Sequence, residues 1–377
     1  MGKTLNEIAQ TLRDSKKKVQ LIYAFNGVGK TRLSREFKEL VAPKNADEEQ
    51  EENEKVKILY YNAFTEDLFY WDNDLDEDKN RKIIIRPNGF THWILEEQGK
   101  ANDIITLFQH YTNDKLTPRF NDAYNEITFS IESGNNENID NIKISKGEES
   151  CLIWCVFYSL LEQIVDVLSV EEDRETDQFN ELKYIFIDDP VSSLDENHLI
   201  ELAVNLGGLI KKAGGLNFII STHNPLFYNV LYNELNLKNK NKNGKECCYI
   251  LSRDDDGMYN LNAKSGDSNK SFSYHLYLKH VIQNAVDNNN IQKFHFMLLR
   301  NLYEKTANFL GYPQWSDLLP DDKQAYYNRV IQFTSHSTLS NEVVPEPTDP
   351  EKQTLKLLLK HLVDNNNYYT EEQNGTV

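Results

Sequence analysis

The chain has 377 residues, 39% of them hydrophobic, and a formal net charge of −18. That length exceeds one ordinary core and predicts two domains, while so acidic a total argues against a protein that meets nucleic acid over its whole surface. The four cysteines (Cys151, Cys155, Cys247, Cys248) match no zinc spacing and read as reduced packing residues, as in a cytoplasmic protein.

No signal peptide is visible at the start. Gly2-Lys3-Thr4 imitates the end of a phosphate loop but lacks the preceding strand and glycines. The first predicted strand is Val19–Tyr23, followed by Ala24-Phe25-Asn26-Gly27-Val28-Gly29-Lys30-Thr31 and a helix over Arg32–Leu40. This strand–loop–helix order is the context a phosphate-binding loop requires. Gly27 and Gly29, next to Asn26, let backbone N–H groups approach phosphate. Lys30 is expected to reach the β- and γ-phosphates and Thr31 to ligate Mg²⁺. Ala24 takes a first position where glycine is usual. Acidic runs at 47–54, 72–78 and 171–177 read as solvated insertions. A strand at Ile58–Tyr61 leads to Asn62, the nearest candidate for a glutamine that often follows the second strand of such ATPases.

The heptapeptide Ile144-Ser145-Lys146-Gly147-Glu148-Glu149-Ser150 opens a helix near Glu148. Ser145 and Glu148 have the spacing of a capping box. In this order, Ser145 and Gly147 are also placed to offer helix N-terminal donors to a phosphate. The apolar run 151–170 is interrupted by Glu162, Gln163 and Asp166, which argues against a membrane span. Tyr184-Ile185-Phe186-Ile187-Asp188-Asp189-Pro190 reads as a buried strand ending in two carboxylates. Asp188 is placed for the magnesium shell, and Asp189 either orients attacking water or caps a turn before Pro190. Ser193-Leu194-Asp195 follows, then a strand at Phe218–Ile220 and Ser221-Thr222-His223, where His223 would sense the γ-phosphate.

These segments, in this order, resemble the ABC-type ATPase head, an α/β fold with a mixed sheet in which two heads close over nucleotide. Lys146 stands where that family has a second glycine, and Asp189 where it usually has glutamate; the shorter side chain suggests slow, switch-like turnover. The resemblance places the head in residues 1–262 and implies a homo-oligomer containing a head dimer, since Ser145 and Gly147 reach phosphate from a second subunit.

After a lysine-rich stretch at 237–245 and two last strands (Tyr249–Ser252, Met258–Leu261), the pattern becomes helical, giving a second, mainly α-helical domain at 263–377. Between Lys264 and Lys305 the cations Lys264, Lys270, Lys279, Lys293, Arg300 and Lys305 outnumber Asp267, Asp287 and Glu304. A locally basic segment in an acidic chain permits RNA binding there. Phe294 to Lys305 is helical by period, with Gly311 and Pro313 to stop it. Arg300 and Glu304, four apart, share one face and read alone as a surface ion pair. With His336, in the polar run Thr334-Ser335-His336-Ser337-Thr338, they form a set suited to metal-free RNA cleavage: two groups for proton transfer and a fixed cation for the phosphorane.

The head motifs, the run Asn62-Ala63-Phe64-Thr65-Glu66-Asp67-Leu68-Phe69-Tyr70-Trp71-Asp72, the run Gly266-Asp267-Ser268-Asn269-Lys270-Ser271-Phe272-Ser273-Tyr274-His275, and the spaced Arg300, Glu304 and His336 resemble the PrrC-type family of bacterial anticodon nucleases. The resemblance covers essentially the whole chain. It implies cleavage of lysine tRNA beside the wobble base to leave a 2′,3′-cyclic phosphate, with Arg300, Glu304 and His336 catalytic and no metal in the nuclease site. It implies that Asp267, with Ser268 beside it, helps to recognise the wobble base. ATP or GTP with Mg²⁺ would occupy the head, with dTTP as a possible regulator, and a type I restriction–modification complex would hold the nuclease latent, without a membrane partner. The competing reading is a RecF/SMC-like ATPase acting on DNA, against which the lack of coiled-coil heptads counts. A transporter subunit would need a membrane partner.

Overall fold

The structure is a computed structural model that describes residues 2–15, 17–43, 56–62, 68–74, 77, 79–132, 138–170, 174–190, 194, 196–237, 247–254, 256–264, 274–328, 346–366 and 368. It divides into two compact units, Met1–Gly266 and Asp267–Val377.

The first unit is built on a six-stranded sheet. Its strands are β1 (Val19–Tyr23), β2 (Ile58–Asn62), β8 (Tyr184–Asp188), β9 (Asn217–Thr222), β10 (Cys248–Arg253) and β11 (Tyr259–Ala263), in the order β11-β10-β1-β9-β8-β2. All neighbours run parallel except β10 and β11. Every residue of β1 is buried, as expected of a central parallel strand covered on both faces. The register sets Tyr23 beside Thr222, Ser221 beside Asp188, and Asp188 beside Asn62. The carboxyl ends of four strands thus meet at one edge, where open α/β sheets form their ligand crevice. The expected α/β fold with a mixed sheet around the phosphate loop is the one observed.

A second, antiparallel sheet was not foreseen from sequence. Strands β3 (Phe69–Asp72), β4 (Lys82–Ile85), β5 (Leu116–Phe120) and β6 (Glu126–Glu132) lie in the order β3-β4-β6-β5, with β7 (Asn138–Ile139) against β6. The short helix α3 (Gly89–His92) continues into a π turn, Trp93–Glu97, and α4 (Ala101–Tyr111) packs its Phe108 ring on Phe129 of β6. The described residues of the acidic run 72–78 are exposed or half-buried, in keeping with a solvated segment. It connects β3 to β4, where the Asp74 carboxylate accepts from the backbone N–H groups of Lys79 and Asn80.

Four helices complete this unit beside α1 (Leu5–Asp14): α2 (Lys30–Val41), α5 (Lys146–Ser169), α6 (Glu196–Lys212) and α7 (Pro225–Glu234). The imitation phosphate loop Gly2-Lys3-Thr4 does structural work instead. Thr4 forms a capping box with Glu7 at the start of α1, and Lys3 exchanges two backbone hydrogen bonds with Tyr259. The long apolar helix α5 begins at Lys146, two residues earlier than expected, because Ser145 and Glu148 close a capping box. It is long and apolar enough to cross a membrane, yet 72% of its most apolar window is buried inside the protein. Trp154, Leu161 and Ile164 are among the residues it buries, so it is a core helix.

In the second unit, α8 (Tyr274–Asp287), α9 (Phe294–Leu310) and α10 (Asp349–Asn365) share a core that includes Leu278, Ile282, Phe296, Leu299, Leu355 and Leu358. The Tyr303 hydroxyl crosses from α9 to donate to the Leu358 carbonyl at 2.9 Å. Gly311 ends α9 in a left-handed conformation, φ 79°, a backbone state that glycine adopts without steric cost.

Candidate functional site

The chain leaves β1 through Ala24, whose N–H donates to the Thr222 carbonyl at 3.0 Å, and turns at Gly27 (φ 80°) and Gly29 (φ 118°). Gly29 is the N-cap of α2 and has no side chain to satisfy the helix's first N–H groups, so these donors face the crevice. The Lys30 ammonium, almost fully buried, donates to the Ala24 carbonyl at 3.3 Å and to Asn26 Oδ1 at 3.2 Å, and lies 3.5 Å from Asp189 Oδ2. Ala24 is fully buried and uses its carbonyl here, so the departure from glycine leaves the loop intact.

Asp188 ends β8 almost inaccessible to solvent. Ser221 Oγ donates to its Oδ1 at 2.6 Å and Ser34 Oγ to its Oδ2 at 3.5 Å, and the nearby Thr31 hydroxyl also favours the charged form. Burial outweighs these bonds and pushes the carboxyl above its usual value. A buried carboxylate whose charge is undercompensated, near the hydroxyl that ends a phosphate loop, is the oxygen donor set that Mg²⁺ takes beside nucleotide phosphates. Thr31 and Asp188 thus fit the ion. Burial also pushes Asp189 up, but the hydrogen bond and charge of His223 and the charge of Lys30 prevail and hold it below its usual value. Its backbone is left-handed, φ 53°, and His223 Nδ1 lies 2.5 Å from its Oδ2. Lys30, Asp189 and His223 therefore form one contiguous network. Asn62 is buried beside Asp188 and donates to the Tyr60 hydroxyl at 3.1 Å.

Ser145 accepts from the Glu148 N–H at 3.2 Å, and its own N–H donates to Glu148 Oε2 at 2.6 Å. These described bonds stay within the helix start and do not reach the phosphate loop of the same chain. Next to Gly147, Lys146 extends into solvent and pairs with Glu149 Oε2 at 2.8 Å. The buried Glu149 also accepts from the Trp71 indole at 2.8 Å, which ties β3 to the start of α5. Sequence reasoning missed this contact. Its only signal was an acid in the first turn of an otherwise apolar helix.

In the helical unit, Arg300 Nε donates to Glu304 Oε1 at 2.8 Å, on one face of α9 as the spacing predicts. The Arg300 guanidinium lies 6.0 Å from the centre of the Trp315 ring, which stacks on Tyr327 at 5.3 Å. Trp315 went unnoticed in the sequence because a lone tryptophan after a helix stop carries no periodic signal. His336, Asp267 and Ser268 lie outside the described residues, as do Ser193 and Asp195.

A family model described as an AAA domain matches residues 76–361. An anticodon nuclease of Escherichia coli is 57% identical over 401 aligned residues, which span 99% of this chain and 99% of that protein. Among solved structures, the Smc head bound to the C-winged helix domain of ScpA is 10% identical and covers 68% of this chain and 93% of its own, with a TM-score of 0.33. The SMC head domain from Thermotoga maritima is 12% identical, covers 47% of this chain and 51% of its own, and has a TM-score of 0.24.

Proposed function

This chain belongs to the anticodon nuclease family, and from that premise we propose that it cuts tRNA in the anticodon loop under nucleotide control. The observation that carries the reading is the 57% identity to an anticodon nuclease across essentially both chains. Residues 1–262 act as the nucleotide-responsive head and 263–377 as the nuclease domain. The substrate is lysine tRNA, cut beside the wobble base, with Asp267 and Ser268 contributing to recognition of that base.

The reaction is a transesterification. A base among Glu304 and His336 takes the ribose 2′-OH proton, and the 2′-oxygen attacks the adjacent phosphorus. The P–O5′ bond then breaks, the second group protonates the departing 5′-oxygen, and the products are a 2′,3′-cyclic phosphate and a 5′-OH. The Arg300 guanidinium opposes the charge that develops on the phosphorane oxygens. Its contacts with Glu304 and Trp315 support this role, because they limit the conformations of a long cationic side chain.

In the head, Asn26, Gly27, Gly29 and Lys30 hold the phosphates, and Thr31 and Asp188 would hold Mg²⁺, which supplies charge neutralisation and template geometry. Asp189 and His223 face the γ-phosphate, and Ser145 and Gly147 reach it from a second head, making the active protein a homo-oligomer. ATP or GTP occupies the head, whose loop reads phosphates only, and dTTP acts as a regulator of activation. In the cytoplasm, a type I restriction–modification complex keeps the nuclease latent as part of antiviral defence.

The test is cleavage of a synthetic lysine-tRNA anticodon stem-loop and of its analogue with a 2′-deoxy sugar at the scissile position. The ribose substrate should yield a cyclic phosphate, also in EDTA once activation has been bypassed, and the deoxy analogue should be inert. A cut deoxy analogue, or a product ending in a 3′-hydroxyl, would replace transesterification by hydrolysis.

A further inference from the structure

The phosphate loop rests on a tyrosine from the strand that leaves the head. A Cβ added to Gly29 would lie 3.2 Å from Cε1 of Tyr259 and 3.4 Å from its hydroxyl. The Tyr259 hydroxyl accepts from Arg32 Nη1 at 3.1 Å, and Arg32 stands in the first turn of α2, two residues after Lys30. Tyr259 is 5% exposed and belongs to the same core as Ala24 and Leu33. Tyr259 is the first residue of β11, the edge strand beyond β10, from which the chain runs on into the helical unit. On its outer side β11 meets Lys3, whose N–H and carbonyl bond to the carbonyl and N–H of Tyr259 at 2.7 and 2.8 Å. Gly2 presses so close that a Cβ there would lie 2.5 Å from Cβ of Met258.

We propose that Tyr259 is a positioning residue that couples the occupancy of the phosphate loop to β11, and through it to the chain entering the nuclease unit. The proposal rests on the nucleotide-control half of the preceding reading. Binding a triphosphate draws the Lys30 ammonium away from Ala24, Asn26 and Asp189 and fills the N–H nest of the loop. Gly29 precedes Lys30 and leaves room for the Tyr259 ring where a Cβ would stand, and Arg32, two residues on, bonds to its hydroxyl, so the rearrangement reaches the ring directly. Close-packed interiors do not absorb such shifts locally. The way out is β11, because it has one full ladder, to β10, and on its outer side only the single bridge to Lys3, while β1 lies between two ladders. A residue that only filled space here would not need a hydroxyl; the bond to Arg32 is the part that reports on α2.

Tyr259→Phe keeps the ring and removes that bond. Amide hydrogen exchange of β11 is followed by mass spectrometry on the full chain, with and without a saturating non-hydrolysable ATP analogue and Mg²⁺. In the wild type, nucleotide should slow β11 exchange by about tenfold, the scale of one charge-assisted hydrogen bond. Tyr259→Phe should lose most of that difference while nucleotide affinity, read by a fluorescent analogue, stays within about threefold, since no phosphate contact is removed. Exposed Arg32→Gln should reproduce the loss, and it decides the matter if the buried variant does not fold. The nucleotide-dependent change in stem-loop cleavage should shrink in parallel, with basal cleavage unchanged. Wild-type β11 exchange that ignores bound nucleotide, or a full nucleotide response in Tyr259→Phe and Arg32→Gln, overturns the coupling. A chain that cleaves no RNA but shows the exchange response leaves the coupling standing and removes only the nuclease reading.

Discussion

Glu304→Gln separates an ion pair that merely decorates a helix from one that takes part in chemistry, because the two roles predict losses of different size. Arg300 and Glu304 are an i,i+4 pair at 2.8 Å with side chains 38% and 36% exposed. Solvent at that exposure screens the attraction, so the pair contributes only about 0.3–0.5 kcal/mol to stability. In a helical domain of this size that corresponds to a fall in melting temperature of about 1–4 °C. Glutamine keeps the shape and a hydrogen-bond acceptor for Arg300, and Trp315 still flanks the guanidinium, so the local fold should persist. Loss of a positioned proton-transfer group, by contrast, slows the chemical step about 10²–10⁴-fold. That is about 2.7–5.5 kcal/mol of transition-state stabilisation, roughly ten times the ion pair's contribution. The assay is single-turnover cleavage of the anticodon stem-loop beside a thermal melt of the same preparation. Cleavage within tenfold of wild type would return Arg300 and Glu304 to the status of a surface pair. A melting point lowered by much more than the ion pair explains would mean that any lost activity reflects unfolding.

The carboxylates of the head give opposite expectations. Asp188 is raised by burial, so its ionised form is penalised as pH climbs through that raised value; Asp188→Asn should melt at or above the wild type at pH 7 without nucleotide and lose the stabilisation by Mg·ATP, and a less stable variant that still responds to Mg·ATP would refute this. Asp189 is lowered because His223 and Lys30 outweigh its burial, so its contribution is present above the ordinary carboxylate value near 3.8 and is lost as pH falls through the folded-state value. Asp189→Asn should therefore flatten the acid side of the stability–pH curve, and melts showing an unchanged acid limb would refute the network's role. Ser145→Asp retains a good helix cap but sets a negative charge where a second head's γ-phosphate would sit. It should leave the melting temperature almost unchanged and abolish nucleotide-dependent dimerisation in light scattering; a dimer that still forms would reduce Ser145 to a cap.

Much of the head was legible because its signals are local. The glycines at 27 and 29 need positive φ, Ser145 and Glu148 cap each other, and β8 is a short apolar run between polar ends. Each of these is decided by neighbours in sequence, which a single chain displays. Of the antiparallel sheet, β6 carried a full period-2 alternation, Glu126-Ile127-Thr128-Phe129-Ser130-Ile131-Glu132, that went unread, whereas β3 and β4 are four residues each and β7 only two, too short for such a pattern to stand out. The Trp71–Glu149 bond spans 78 residues and the Arg32–Tyr259 bond 227, and no composition or spacing rule foretells contacts at such separation. Gly2-Lys3-Thr4 is the reverse case, a motif-like string that its missing strand and glycines rule out as a phosphate loop, and whose residues serve close approach to Met258 and the capping of α1.

The charges at the phosphate loop satisfy one another in a way that bears on how the head works. Lys30 faces Asp189 at 3.5 Å, and Asp189 takes His223 at 2.5 Å, with the aspartate's backbone turned to φ 53°. A water-orienting base must point a lone pair at solvent beside the γ-phosphate, but this carboxylate is committed inward and is one methylene shorter than the usual glutamate. An incoming triphosphate competes directly for Lys30 and so releases part of Asp189's hold, while His223 keeps the rest. On the proposed reading, binding rearranges the network more readily than hydrolysis completes. Nucleotide then acts first as a ligand that sets the state of the head, and its slow cleavage times the return. That order of events suits a nuclease that must stay latent, because a fast hydrolytic cycle would pass repeatedly through the active state.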